Sequence, residues 1–457
     1  MNINREHPEF IANQAAWTKY RDLYAGGEQL RRNAPEYLVR RSKEPNEVYQ
    51  ERVSRVFYEN YAGSIIDWFA ATLMRREPVL SCDGPDETAR GFLGEFAEDC
   101  DLRGTKLADF FRQQLVHTLV YGRTWIAVEF PRAAGPAANR ADEDASGQSR
   151  AYLVEYTPDE AINWEHGEDG NLAWIVLRTT RLHQSEEGWK QITRWLRYDR
   201  EEFAIFEQAE GEKKPRSIDQ GRHGLAEQGR VPVFEMKVSG GLWLMNKAAL
   251  LQLEHFNKSN ALSWALTMGL FAMPVVYSER EWSQIVGESY YIQLGPEDRF
   301  GWTEPEGHVY QIAADNLVRL KDEIYRVCYL MMQAGTASSA NLTQSGLSKQ
   351  RDFSITHEVL RAFGDTVKES MKQVLRAVVA ARRDEVCVDV SGLDEFDIGD
   401  FGAELDEAQK LLGMGIESPT LKKEVFKKLA AKYFADARQD LKNKIAAEIE
   451  ASFPEVE

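Results

Sequence analysis

The chain has 457 residues, of which 43% are hydrophobic and 28% are charged. This length and composition predict two or three domains, or one elongated body of several parts, and they exclude a multispan membrane protein. The net charge of −17 disfavours tight, sequence-independent binding to nucleic acid, because such binding needs lysine and arginine on the phosphates. The four cysteines form no CxxC pair, so we expect reduced thiols in a reducing compartment.

The N-terminal third of the chain is predicted to be mainly helical, because its apolar residues recur at helical spacing. The expected helices run over Pro8–Tyr24 with an end at Gly26-Gly27, over Asn46–Arg76, and from about Lys106 to Tyr121. Strands are expected at Thr124–Phe130 and Ala151–Tyr156, with a mobile loop between them. This part of the chain therefore predicts a body that combines helices with a small sheet.

The middle of the chain is predicted to be a β-meander that leads into a long helix. The expected strands are Leu172–Leu182, Trp189–Tyr198, Glu202–Glu207 and Arg230–Val238, with an exposed loop over Gly211–Gly229. A helix should follow over Leu242–Phe271. Ser259–Ser278 contains no charge and has the length of a membrane span, but its polar residues favour a buried helix and a short strand, Val275–Tyr277.

Two long helices with an uncharged connection are predicted from Asp315 to Arg383. The first, Asp315–Ala334, has an apolar stripe that consists of Leu317, Leu320, Ile324, Val327 and Met331. Its opposite stripe has mixed polarity and consists of Asp315, Arg319, Asp322, Arg326, Tyr329 and Gln333. The second helix begins near Lys349 and has Leu360, Phe363, Val367, Met371, Val374 and Val378 on one face. Long uncharged loops such as Gly335–Ser348 are usually functional or disordered.

The sequence contains no recognisable catalytic or cofactor-binding motif. It has no P-loop, no GxSxG and no HExxH, and the eight histidines show no metal-ligand spacing. We interpret His357-Glu358 as a surface pair on a helix and the acidic cluster of Glu95, Glu98, Asp99 and Asp101 as a solvated helix end. We therefore expect no enzymatic activity, no cofactor and no metal site.

One run of residues resembles a known family. The run Tyr49, Arg52, Arg55, Phe57, Asn60, Ile65, Met74 and Pro78 is similar to an N-terminal pattern of portal proteins of tailed bacteriophages. The order of the predicted elements resembles that family along nearly the whole chain. The resemblance implies an α+β, mainly α-helical portal fold with the following parts: a β-containing wing (1–242), a stem helix (243–271), a small α/β clip (272–311), a second stem helix (312–334), a tunnel loop (335–348), a long wing helix (349–385) and a C-terminal helical crown (386–457).

The resemblance also implies a function and a set of partners. Portal proteins form a ring of about twelve subunits at one capsid vertex, and double-stranded DNA passes along its axis. The implied partners are terminase, tail adaptor proteins, and the major capsid or scaffolding protein, with no membrane. The implied location is the virion, and the host cytoplasm during assembly. Two other classes stay open: a different phage structural, adaptor or scaffold protein, and an enzyme whose residues meet only in three dimensions.

Two groups of residues are candidates for contact with DNA. The tunnel loop offers hydroxyl and amide groups, which bond phosphates without a fixed charge, from Thr336, Ser338, Ser339, Asn341, Thr343 and Gln344. The channel-facing residues of the second stem helix are expected to be Arg319, Asp322, Arg326 and Gln333. The alternatives are a disordered connector for the loop and an ordinary solvated helix face for the stem residues.

Overall fold

The structure is a computed structural model that describes residues 2–131, 140–185, 188–269, 273–277, 297, 299–303, 307–330, 346–394, 408–414, 418–434 and 439–452. The chain divides into two compact units. The first contains Met1–Arg21, Ile66–Asn246 and Gln350–Glu457, and the second contains Asp22–Ile65 and Lys247–Lys349. Both helices and sheets are present, so the predicted α+β class is confirmed.

The helices occupy mainly the two ends of the chain. Those before the large sheet are α1 (Pro8–Ala25), α2 (Gly27–Arg32), α3 (Ala34–Tyr37), α4 (Asn46–Ser54), α5 (Tyr61–Leu73), α6 (Glu87–Glu98), α7 (Leu107–Tyr121) and α8 (Arg140–Ala145). Those after it are α9 (Leu244–Gly269), α10 (Gly307–Val327), α11 (Gly346–Arg382), α12 (Pro419–Tyr433) and α13 (Gln439–Ser452). Ser418 caps α12, because its side chain accepts a hydrogen bond from the Leu421 amide.

The strands form antiparallel sheets. They are β1 (Val79–Asp83), β2 (Arg123–Glu129), β3 (Tyr152–Tyr156), β4 (Ala161–His166), β5 (Leu172–Ser185), β6 (Gly188–Asp199), β7 (Glu202–Ala209), β8 (Arg216–Arg222), β9 (Val233–Lys237), β10 (Met273–Tyr277), β11 (Arg299–Thr303) and β12 (Cys387–Ser391). The strand orders are β4-β5-β6-β7-β8, β3-β2-β9, β1-β12 and β10-β11. Three strands of the predicted meander, β5, β6 and β7, are therefore confirmed, and β4 and β8 extend their sheet by two strands. The fourth predicted strand, β9, forms but pairs with β2 in a different sheet.

The core of the first unit forms around α7, β2 and α11. All six apolar residues predicted on one face of α11 are buried, and Phe363 packs edge-on against Phe69 with ring centroids 5.5 Å apart. Helix α7 ends at Gly122, whose φ of 87° is in the left-handed region. A Cβ at Gly122 would come within 2.9 Å of the Trp243 ring, so both the turn and the packing require glycine there.

The predicted continuous helix over Asn46–Arg76 is wrong, because the chain breaks between α4 and α5. Asn60 caps α5 by accepting a hydrogen bond from the Gly63 amide, at 2.9 Å. The side chain of Asn260 on α9 bonds both the amide and the carbonyl of Phe57, at 3.1 and 2.9 Å. These bonds hold the backbone of residues 57–60 outside a helix, which local periodicity does not reveal.

Two predicted loops contain regular structure. Gly211–Gly229 was expected to be a loop, yet it includes β8, which pairs with β7 from Glu202↔Arg222 to Glu207↔Arg216. The loop expected between β2 and β3 includes the short helix α8. Both predictions fail because polar residues that face solvent on an edge strand or a surface helix have the composition of a loop.

The predicted ends of the two long helices also need correction. Helix α10 begins at Gly307 and not at Asp315, and it ends at Val327 and not at Ala334. It ends because Tyr329 adopts a φ of 64°, outside the right-handed helical region. Helix α11 begins at Gly346, so residues 346–348 of the predicted tunnel loop are helical, and it ends at Arg382, before Arg383 with a φ of 62°.

The remaining differences concern the clip and the C-terminal region. The strand expected at Val275–Tyr277 is β10, and it pairs with β11 in register from Met273↔Thr303 to Tyr277↔Arg299. Residues 278–296 of the predicted clip lie outside the described residues. The region 386–457 is not wholly helical, because β12 pairs with β1. In the described parts of the chain, no helix combines the length and the apolar character that crossing a membrane requires.

Candidate functional site

The candidate site lies on α10, which runs antiparallel to α9 within the second unit. Lys258 near the middle of α9 contacts Asn316 near the middle of α10, with 3.0 Å between Nζ and Oδ1. Towards the end of α9, the carbonyl of Ala265 accepts a hydrogen bond at 3.3 Å from the hydroxyl of Tyr310, at the start of α10. Residues late in one helix thus contact residues early in the other, which fixes the antiparallel direction of the pair.

The other end of this helix pair is closed by Lys247 and Tyr329. The ammonium group of Lys247 lies 4.3 Å from the centroid of the Tyr329 ring and contacts its hydroxyl. Such a cation–π contact is strongest where the ammonium group is partly shielded from water. This contact holds Tyr329 in place just after the end of α10, where the backbone is no longer helical.

The inner face of α10 matches the predicted apolar stripe. Leu320, Ile324 and Cys328 are buried, and Leu317 and Val327 are half-buried. Met331, the last residue of the predicted stripe, lies outside the described residues. The three-and-four spacing therefore gives the buried face of this helix correctly.

The opposite face of α10 contains most of the predicted channel-facing residues. Asp315, Arg319 and Arg326 are exposed, whereas Asp322 is half-buried. The Oδ1 atom of Asp322 is buried and accepts no hydrogen bond from the residues that the structure describes. Gln333 lies outside those residues. The structure thus brings Arg319 and Arg326 to one exposed face, and their orientation toward a channel stays a prediction.

Opposite charges alternate along this exposed face. The guanidinium of Arg326 donates from Nε to Glu323 Oε2 at 2.8 Å, and this hydrogen bond raises the pKa of Arg326 and lowers the pKa of Glu323. Asp315 and Asp322 alternate with Arg319 along the remainder of the face. Because cations and anions are mixed, the face lacks the dense positive charge that tight binding of phosphates requires.

The six tunnel-loop residues lie outside the described residues. They are Thr336, Ser338, Ser339, Asn341, Thr343 and Gln344. The structure describes the backbone on both sides of this segment, up to Leu330 and again from Gly346. The proposed contact of these hydroxyl and amide groups with DNA therefore stays a prediction.

A polar network that the sequence analysis did not find anchors α9 to the segment before α5. His255 on α9 is 1% exposed, and its Nε2 atom lies 3.3 Å from the Glu59 carboxylate. The hydroxyl of Tyr61 donates to the same carboxylate oxygen at 2.9 Å. Gln252 donates to the Glu59 carbonyl at 2.8 Å and accepts from the Ala62 amide at 3.1 Å. No sequence motif marks this network, because its members meet only when α9 packs on residues 59–62.

We predict that this network makes stability depend on pH through His255. Burial lowers the pKa of His255 from 6.5, and its buried Nδ1 has no hydrogen-bond partner among the described residues. Because the folded pKa is below the unfolded pKa, the stabilisation is complete above about pH 6.5 and is lost as the pH falls below it. The free energy of unfolding, measured with urea, should therefore fall more steeply for the wild type than for His255→Gln as the pH falls from about 7 to about 5.

Two other histidines, His7 and His223, also have lowered pKa values. Both are present in the wild type and in His255→Gln, so their contributions to the pH dependence cancel in this comparison. The nearest anionic group to His255 is Glu59, which opposes the effect of burial and is also retained in the variant. Equal slopes for the two proteins over this pH range would contradict the prediction.

The acidic cluster near the end of α6 forms a turn. The Oδ1 atom of Asp101 accepts from the Arg103 amide at 2.9 Å, and its Oδ2 atom accepts from the Thr105 hydroxyl at 2.8 Å. Asp99 accepts from the Gly104 amide at 2.9 Å. Among the residues that the structure describes, no cluster of histidine, cysteine, aspartate and glutamate could hold a metal ion.

Comparisons with known proteins give matches at the level of structure only. No protein-family model matches the sequence, and no curated protein matches it significantly. A chain from the neck of an empty gene transfer agent particle, computed with C6 symmetry, has a TM-score of 0.45 at 12% identity, with 85% of this chain and 95% of that chain covered. A chain from the virion of a native gene transfer agent particle has a TM-score of 0.41 at 12% identity, with 86% and 96% covered. A chain from the neck of the native particle, computed with C12 symmetry, has a TM-score of 0.39 at 13% identity, with 78% and 85% covered.

Proposed function

We propose that this chain is the subunit of a phage portal, a ring at one capsid vertex through which double-stranded DNA is packaged and ejected. The observation that carries the proposal is the antiparallel pair of α9 and α10. These helices have 26 and 21 residues and are therefore about 39 and about 31 Å long. The β10–β11 ribbon lies between them in the chain. This arrangement supports two stem helices that lead to and from a small clip.

The ring is supported by apolar side chains that the subunit leaves exposed on these helices. Leu250 on α9 is 70% exposed, and Val309 and Ile312 on α10 are 62% and 56% exposed. Single exposed apolar residues are common, but several on one helix pair are better explained by contact with a neighbour. A head-to-tail contact between different surfaces closes into a ring when the rotation between copies is a simple fraction of a turn.

The passage of DNA is supported by the mixed charges on the exposed face of α10. A channel for DNA must touch the duplex without releasing many counterions, because counterion release produces a strong, salt-dependent hold. Arg319 and Arg326 alternate with carboxylates, and the chain as a whole has a net charge of −17. In this proposal, terminase and later the tail adaptor proteins dock on the clip, and the capsid or scaffolding protein surrounds the ring.

The mass of the purified chain tests the proposal. One subunit has a mass of 52.2 kDa. Light scattering combined with size-exclusion chromatography should show a closed particle of about twelve subunits, on the order of 600 kDa, in at least part of the preparation. Negative-stain images of the same fractions should show rings with a central channel. A chain that stays monomeric or dimeric at every ionic strength contradicts the proposal.

We also propose that the subunit has no catalytic activity of its own, so that terminase supplies the energy for packaging. The sequence lacks a P-loop, which fits this role. A nucleotide-hydrolysis assay on the assembled ring, with and without magnesium, would detect an activity if one exists.

A further inference from the structure

Residues 39–43, between α3 and α4, form an exposed turn that contains three cations and no carboxylate. All five residues are exposed, and the cations are Arg40, Arg41 and Lys43. Among the residues that the structure describes, these three side chains form no ion pair with a carboxylate. The chain as a whole has a net charge of −17, so this cationic turn differs in charge from most of the surface.

The carboxylate that follows the cationic turn in the sequence points inward. The side chain of Glu44 is 3% exposed, and both of its oxygens accept hydrogen bonds at 2.8 Å from Nη1 of the buried Arg52. This buried ion pair neutralises Glu44, so Glu44 does not offset the cations of the turn. The nearest exposed carboxylates in the sequence, Glu36 and Glu47, are on the flanking helices α3 and α4. The positive charge is therefore concentrated in the turn itself.

Hydrogen bonds on both sides fix the backbone of the cationic turn. The Val39 amide donates to Oδ1 of Asn257 on α9 at 2.8 Å, and the same side chain donates to the Tyr37 carbonyl at 3.0 Å. The Arg41 amide donates to Glu44 Oε2 at 3.2 Å, and the Glu44 amide donates to the Arg41 carbonyl at 3.1 Å. The cations are thus attached to an ordered backbone, which reduces the conformational entropy that binding of a partner must remove.

The cationic turn also offers uncharged donors that suit phosphate groups. Ser42 is exposed, and the amides of Ser42 and Lys43 donate no hydrogen bond to any residue that the structure describes. Arginine, lysine, serine and backbone amides are the groups that contact the phosphates of nucleic acids. The contact surface of a protein partner usually has an apolar and aromatic centre, whereas Val39 is the only apolar residue of this turn. The composition of the turn therefore favours a nucleic-acid backbone over an acidic protein.

The cationic turn lies on a different face of α9 from α10. The turn is held by Asn257, whereas α10 contacts Lys258 and Ala265. Because an α-helix has about 3.6 residues per turn, Asn257 lies about 100° from Lys258 and about 80° from Ala265 around the helix axis. The three cations are therefore separate from the mixed-charge face of α10, which we propose lines the channel.

We propose that the cationic turn is a second DNA contact of this chain, which binds phosphates outside the channel through Arg40, Arg41 and Lys43. The inference rests on the proposed function, and it goes further by assigning a surface that holds DNA in a salt-dependent manner. The face of α10 has mixed charges over which DNA can slide, whereas the turn has unopposed cations whose binding to phosphates releases counterions. Repetition of the turn around a ring strengthens a contact that is weak in a single subunit.

Binding of a closed circular DNA duplex tests this contact, because a closed circle has no end that can enter the channel. The dissociation constant of a fluorescent minicircle for the purified ring is measured from about 50 to about 200 mM NaCl. The combined substitutions Arg41→Ala and Lys43→Ala should lower the slope of log K against log salt by at least about 2, since each phosphate contact contributes about 0.9. Arg40 is left unchanged because its guanidinium also packs over the Tyr49 ring, 5.3 Å from the centroid.

The combined substitutions Lys213→Ala and Lys214→Ala are the matched control. Both lysines are exposed in the connection between β7 and β8, so the control removes the same charge at a different place. We expect this variant to keep the wild-type slope. Arg41→Lys combined with Lys43→Arg retains the charge of the turn and should also bind as the wild type does. An equal loss of slope in the lysine control and in the turn variant would show that net charge governs binding, which overturns the proposal.

The remaining outcomes separate this inference from the proposed function. A ring that binds linear duplexes but not the minicircle would confine DNA to the channel, which overturns the proposal and leaves the ring standing. Polyglutamate that displaces the minicircle at an equal concentration of charge would indicate an acidic protein partner and would also overturn it. A chain that forms no rings contradicts the proposed function, and the same binding measurement on that chain still tests the turn.

Discussion

Replacing Ile324 with aspartate is expected to destabilise the subunit by on the order of 4 kcal/mol, one of the largest effects available to a single substitution here. Ile324 is 0% exposed on the inner face of α10. A carboxylate at that position loses its water without gaining a partner, and the apolar contacts of the isoleucine are lost as well. The measurement is the urea concentration at the midpoint of unfolding, together with the soluble yield.

Two positions on the outer side of the same helix provide controls. Val318 is 48% exposed, so Val318→Asp introduces the same charge where water remains in contact with it. Arg319→Ala removes an exposed side chain from the mixed-charge face. Both variants should unfold within about 0.5 kcal/mol of the wild type, as surface substitutions usually do. If Ile324→Asp is as stable as these controls, the assignment of the buried face of α10 is wrong.

Replacing Arg382 with alanine is expected to cost about 3 to 5 kcal/mol, because it breaks a buried ion pair with Asp384 by removing one member of it. Arg382 at the end of α11 is 4% exposed. It donates from Nε to Asp384 at 2.8 Å and from Nη1 to the Ser149 carbonyl at 2.6 Å. Its guanidinium carbon lies 3.6 Å from the centroid of the Phe92 ring. One side chain thus joins the end of α11 to α6 and to the segment after α8.

The adjacent arginine is a matched control for this substitution. The side chain of Arg383 is 69% exposed and forms an ion pair with Glu227, itself 60% exposed. Arg383→Ala should therefore change the free energy of unfolding by less than about 1 kcal/mol. The double variant Arg382→Met with Asp384→Asn removes both buried charges and should recover part of the loss. A double variant no more stable than Arg382→Ala would show that packing on Phe92, and not the buried ion pair, accounts for the effect.

Periodicity in the sequence was sufficient to predict a helix and its buried face wherever one face is buried along the whole length of the helix. The six apolar residues of α11 are all buried, and the stripe on α10 is buried or half-buried as far as the structure describes it. The helix ends at Gly26 and Gly122 were also predictable, because glycine adopts the left-handed backbone conformation there without strain. The β-meander was predictable since its strands are rich in β-branched and aromatic residues.

The sequence by itself therefore determined the α+β class, the order of the elements and the buried faces of the long helices, because these depend on short-range spacing. Only the tertiary structure decided where the helix predicted over Asn46–Arg76 breaks and which polar segments become strands. Asn260 holds the break before α5 from 203 residues away, β8 forms by pairing with β7, and β12 pairs with β1. The anchor of the cationic turn on α9 and the network around His255 appear only after distant segments have packed, so no local pattern in the sequence encodes them.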